Sequence, residues 1–150
     1  HDQHSETRLI ILGEGELRTE FETLVANSDL NDVVDLPGFD ANPYAYFKYA
    51  SLFVLSSNWE GLPGVLIQAL ASKVKVVSTN CPSGPMEILD HSKFGLLVEC
   101  NDQAGLTQAM QQAIFADYVQ YQNADFEAHI QQFHKQTVLK QYLSMMESVA

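Results

Sequence analysis

Glu60-Gly61-Leu62-Pro63-Gly64 is the segment of this chain best equipped for chemistry. A carboxylate precedes a Gly/Pro turn, and Val65, Leu66, Ala69 and Leu70 then recur at helical spacing, so the turn opens onto a helix N-terminus. The first amides of a helix have no partner within it, and the helix dipole adds positive potential, which suits an anion such as a phosphate. Before the turn, Leu52 to Leu55 reads as a buried strand. After it come a second strand, Val74 to Ser78, and a second Gly/Pro turn at Cys81 to Pro85. Two such loops side by side lie at the carboxyl end of a parallel sheet, where α/β proteins bind ligands. Taken alone, Glu60 is a loop carboxylate or a helix N-terminal charge, and Gln68 a polar residue early in a helix.

The other reactive side chains carry less. Gly13 and Gly15 in GEGELR form part of a dinucleotide fingerprint without its third glycine, and read as a tight turn between strand and helix. Glu87 reads equally as a first-turn charge and as a cleft-facing carboxylate. His91, beside Asp90, reads as solvated. His129 and His134 are five apart, off a common helical face, which argues against a metal pair. Cys81 and Cys100 have no metal-ligand spacing and read as two reduced cysteines. Tyr44, Tyr46, Phe47 and Tyr49 read as core and surface of one short helix, with the border of a nucleotide cleft as the other reading.

The elements that must position these residues alternate in type. Strands are expected at Leu9 to Leu12, Val33 to Leu36, Leu52 to Leu55, Val74 to Ser78 and Gly95 to Val98. Helices are expected from Glu16 to Asn27, with Leu17, Phe21, Leu24 and Val25 as the apolar face, from Pro43 to Tyr49 after an Asn42 cap, from the 60–64 turn, and after Ser83. From an Asn101-Asp102 cap onward the chain reads as helical, with breaks near Asp117 and Asp125. This alternation specifies a Rossmann-like, doubly wound parallel α/β sheet. The 150 residues divide into a tail (1–7), a core (8–115) and a helical C-terminal segment (116–150), all within one domain. A hydrophobic content of 46% and a charged content of 18% fit a globular protein. A net charge of −11, with eight scattered Lys and Arg, argues against a nucleic-acid partner. No apolar run reaches membrane-spanning length, and the expected location is cytoplasmic.

Four segments resemble the C-terminal, donor-binding half of GT-B glycosyltransferases of family 4 (group 1). They are LIILGEGELR, VVDLPGF, LFVLSSNWEGLPGVLIQALAS, and VVSTNCPSGPMEIL followed by GLLV, in that order between about Leu9 and Met110. The resemblance implies retaining transfer of a sugar from a nucleotide-diphosphate donor to an acceptor hydroxyl. No metal or other cofactor is implied, because amides and basic side chains neutralise the diphosphate. Glu60 takes the catalytic position, contacting the donor sugar, while Gly61, Leu62 and Gly64 present amides to sugar and phosphate. Pro63 has no N–H to give. Pro37, Gly38 and Phe39 fall on the base-contacting loop, and Gly13 and Gly15 line the cleft. The Cys81 to Pro85 loop resembles members that move hexose or N-acetylhexosamine onto envelope glycans, and points to a UDP-sugar.

Two departures accompany the resemblance. The family's second glutamate is here Gln68, whose amide still accepts a ribose hydroxyl without the charge that makes such bonds roughly twice as strong. The resemblance also implies an acceptor-binding domain ahead of this segment, with a strand and helix carrying an arginine and a lysine for the diphosphate. Without them the expectation is no turnover by this chain alone, and self-association through exposed sheet edges. In the whole protein the location becomes cytoplasmic or peripheral at the inner membrane. Other readings are a non-catalytic nucleotide-sugar-binding module or partner subunit, and a GT-B sugar epimerase.

Overall fold

Alternating β-branched strands and apolar helices give the expected parallel architecture. The computed structural model describes residues 6–115 and 125–149, and the chain divides into two compact units, His1–Pro43 and Tyr44–Ala150. In the first, β1 (Leu9–Leu12) and β2 (Val34–Gly38) pair in parallel, Leu9 against Val34 and Ile10 against Asp35, with a slip before Leu12 meets Gly38. Between them runs α1 (Arg18–Asn27). The second unit contains α2 (Tyr44–Phe47), β3 (Phe53–Leu55), α3 (Gly64–Ala71), β4 (Val76–Thr79), α4 (Pro85–Ile88) and β5 (Leu96–Val98). It ends in α5 (Gln103–Phe115), α6 (Asp125–Gln131) and α7 (Lys135–Val149). Its sheet is parallel in the order β3-β4-β5, with Phe53 opposite Val76 and Val77 opposite Leu96.

β4 is the centre of the second unit, and all four of its residues are buried. Successive side chains of a strand face opposite ways. Val76 accordingly joins Leu66, Leu70, Ile88, Phe94 and Phe126, whereas Val77 joins Ala109 and Ala113 of α5. Helices therefore cover both faces, as a doubly wound sheet requires. Phe94 and Phe126 meet edge to face at 5.4 Å. His129, which sequence spacing left without a metal partner, holds α6 to the end of α4: its Nε2 lies 2.7 Å from the Ile88 carbonyl, and its ring 4.6 Å from that of Phe94.

Some expectations need correction. The apolar run before Gly13 reads in sequence as a buried strand, yet Leu9, Ile10 and Ile11 are exposed, and so are Leu17, Phe21 and Leu24 of the expected apolar face. Burial of a parallel strand needs cover on both faces, and the first unit supplies one helix. Ser83 does not cap α4. Gly84 occupies that position with φ 93° and ψ −60°, and Pro85 follows at the first helical site. The strand and helix ends otherwise shift by a few residues, the usual uncertainty at termini. The expected break near Asp117 lies outside the described residues.

Asp102 does cap α5 as expected, its Oδ1 accepting the Gly105 N–H at 2.8 Å. Replacing Asp102 by alanine is expected to cost about 1 kcal/mol, seen as a fall of roughly 2–4 °C in the thermal midpoint. The cysteines differ in environment, for Cys81 is buried and Cys100 half-buried. Burial, with the charge of Cys100 second, raises the Cys81 thiol pKa, against a lowering hydrogen bond with Thr79. At neutral pH, Cys100 is expected to react readily with an aromatic disulfide reagent and Cys81 only on unfolding. Prompt loss of both thiols in the folded protein would contradict this.

Candidate functional site

Eight residues, 56–63, connect β3 to α3, and this loop carries the candidate carboxylate.

 Counted along the chain, Gly64 of α3 stands nine positions after Leu55 of β3. Ser57 is half-buried there, and its hydroxyl donates to Glu60 Oε1 at 2.7 Å. Thr79, buried at the end of β4, turns its own hydroxyl to the carbonyl of Ser57, with that of Leu55 further off at 3.3 Å. Glu60 is thus half-buried and tied to the strand ends, while its neighbour Trp59 is 80% exposed.

The amides beyond Glu60 are arranged for an acceptor. The N–H groups of Gly61, Leu62, Gly64 and Val65 have no hydrogen-bond partner among the described residues. The first backbone bonds of α3 are those from Leu66 and Ile67 to the Pro63 carbonyl. Gly61, Leu62 and Gly64 are exposed and Pro63 is buried. Gln68 is half-buried on α3, four residues after Gly64 and so on the same side of the helix. Gly84 braces the loop from beside it. A Cβ there would lie 2.4 Å from Pro63 Cδ and 2.7 Å from the Gly61 carbonyl oxygen.

The remaining sequence candidates gather in the first unit, at the carboxyl end of the β1–β2 pair. The Gly13 N–H donates to the Gly38 carbonyl at 2.8 Å, and both glycines have positive φ. The Gly15 carbonyl accepts the Arg18 N–H at 3.1 Å. Pro37 and Phe39 flank buried Gly38 and are exposed. Arg18 organises this end: its guanidinium bonds Glu14 and Glu22, both at 2.8 Å, and the Leu36 carbonyl at 2.7 Å. The hydrogen bond to Glu22 and the charge of Glu14 raise its pKa.

Sequence reasoning missed Ser57, Thr79, Gly84 and Arg18. Arg18 had a signal in its spacing of four from both Glu14 and Glu22. Glu87 lies exposed in the first turn of α4 and His91 is exposed. Among the described residues no cluster of three or more His, Cys, Asp or Glu side chains could hold a metal ion. A groove of about 300 Å³ between β5 and α5 includes none of the candidates, and its carboxylate, Asp102, is occupied in capping α5. No described helix is long and apolar enough to cross a membrane.

Known proteins resemble this chain in sequence and fold. The profile of the family described as Glycosyl transferases group 1 matches residues 1–132, which include both groups of candidates. An uncharacterised glycosyltransferase of Methanocaldococcus jannaschii is 42% identical over 88 residues, covering 59% of this chain and 22% of its own length. A Campylobacter jejuni protein named N-acetylgalactosamine-N,N'-diacetylbacillosaminyl-diphospho-undecaprenol 4-alpha-N-acetylgalactosaminyltransferase is 39% identical over 106 residues, 71% of this chain and 29% of its own. This chain therefore spans less than a third of either relative. Among solved structures, S. aureus TarM in a complex containing UDP superposes with a TM-score of 0.85 at 22% identity, over 95% of this chain and 29% of TarM. The lipopolysaccharide galactosyltransferase WaaB gives 0.81 at 20% identity, over 99% of this chain and 44% of WaaB. At such identity these likenesses establish the fold, that of the GT-B glycosyltransferases.

Proposed function

Because the chain belongs to the group 1 glycosyl transferases, we propose that it is the donor-binding domain of a retaining enzyme. That enzyme moves a hexosyl or N-acetylhexosaminyl unit from a nucleotide-diphosphate sugar to a glycan or lipid-linked acceptor. The observation that carries this reading is the 60–64 loop, where a carboxylate held by Ser57 stands beside unpaired amides at the start of α3. An acceptor oxygen bonds the sugar's anomeric carbon on the face from which the diphosphate departs. The bond from that carbon to the diphosphate oxygen breaks, and the acceptor's proton passes to the leaving diphosphate. Glu60 positions the sugar, Gln68 the ribose, and the amides of Gly61, Leu62 and Gly64 offset the growing negative charge. Gly13, Gly15, Pro37, Gly38 and Phe39 serve the nucleotide end. No metal is assigned a role.

The relatives support the finer points. The UDP in the TarM complex favours a UDP-sugar donor. The name of the Campylobacter relative favours an N-acetylhexosamine and an undecaprenol-linked acceptor. The coverage of 22% and 29% of the two relatives supports a longer protein with an acceptor domain.

Ligand-observed NMR on the full-length protein with UDP, GDP, UDP-N-acetylglucosamine and UDP-glucose tests the reading. Binding of UDP and one UDP-sugar, without GDP, is the expected pattern. Binding of GDP alone would refute the UDP assignment, and binding of none would refute the donor site. One feature favours a second reading, a non-catalytic nucleotide-sugar-binding subunit: Gln68 stands where the resemblance calls for a glutamate. Sugar transfer by the full-length protein eliminates that subunit.

A further inference from the structure

The geometry points to Ser57 as a positioning residue for Glu60, with Thr79 fixing Ser57 in turn, so that the carboxylate is aimed before any donor arrives. This deepens the donor-site reading and rests on it. Glu60 has three side-chain torsions, and a freely rotating carboxylate would lose that freedom on meeting a sugar. The 2.7 Å bond from Ser57 to Oε1 removes much of that freedom in advance and leaves Oε2 without a partner among the described residues. Asn58, Trp59, Gly61 and Leu62, the chain neighbours of the pair, are all exposed.

The anchoring runs back into the sheet. Thr79 ends the central strand and is buried, at 4% exposure. Of the two carbonyls its hydroxyl faces, that of Ser57 is the nearer. Main chain and side chain of Ser57 therefore do different things: the first is pinned to β4, and the second holds Glu60. A contact that merely stabilised the turn would not need that second tie to the strand at the centre of the core.

Calorimetric titration of the full-length protein with UDP and with UDP-N-acetylglucosamine or UDP-glucose separates the outcomes. Ser57→Ala is expected to weaken the UDP-sugar roughly tenfold, as loss of a group that orients a ligand contact does, and to leave UDP within about twofold. Ser57→Thr keeps the hydroxyl and is expected to restore sugar binding. If Ser57→Ala loses UDP and UDP-sugar equally, or unfolds, and Ser57→Thr does not restore the difference between them, the residue is structural and the inference fails. It also fails if Ser57→Ala binds the sugar normally while Glu60→Ala does not, an outcome that leaves the donor site standing. If Glu60→Ala changes nothing, or the unaltered protein binds no nucleotide sugar, the donor-site reading falls and takes this inference with it.

Discussion

Replacing Gly84 by alanine is expected to lower the thermal midpoint by roughly 5–15 °C, the equivalent of about 2–5 kcal/mol from backbone strain and overpacking together. Two independent costs act at this position. Its backbone, at φ 93° and ψ −60°, is in a region that L-residues with a Cβ scarcely occupy. The new methyl would also meet Pro63 Cδ at 2.4 Å and the Gly61 carbonyl at 2.7 Å, and neither is the far end of a flexible side chain. Relief requires the 60–64 loop to move away, so donor binding should weaken even below the melting range. Calorimetric melting of Gly84→Ala, followed by UDP-sugar titration, checks both parts. An unchanged midpoint would show that the loop yields without cost.

Glu60→Ala in the full-length protein is expected to reduce kcat/KM for sugar transfer roughly 10- to 100-fold, the range for losing a hydrogen bond to a charged group. The loss should fall on steps that involve the sugar. The amides of Gly61, Leu62 and Gly64 belong to the backbone and survive the change, so UDP should bind nearly as before. Glu60→Gln keeps the shape without the charge and should fall between the two. Steady-state transfer assays with the preferred donor provide the measurement. Full transfer by Glu60→Ala would remove Glu60 from the reaction.

Much of this arrangement is written in local sequence. The 60–64 turn announces itself through glycine and proline, and of the stripe at Val65, Leu66, Ala69 and Leu70 all but the exposed Val65 are buried, as helical spacing requires. Val76 and Val77 read as strand, and the order of elements around them requires cover on both faces. What sequence does not show is which partner reaches across the fold. The bond from Thr79 to Ser57 spans 22 residues, and no periodicity encodes it. In sequence Gly84 reads as a turn glycine, and only the fold brings it against Pro63 and Gly61. The error at β1 and α1 has another origin: hydrophobic spacing identifies a face without saying what covers it. Leu9, Ile10, Phe21 and Leu24 carry the right pattern and remain exposed.

Trp59 is the chain's single tryptophan, sits beside Glu60, and is 80% exposed. This chain therefore carries its one indole, a natural optical reporter, in the loop where its chemistry is proposed, and no tryptophan in its core. Its emission should be red-shifted and readily quenched by iodide in the folded state. A ligand settling on the 60–64 loop should shield the indole and shift that emission to the blue. Unfolding, by contrast, should change it little, because the ring already faces water. In this chain intrinsic fluorescence is a gauge of occupancy rather than of stability.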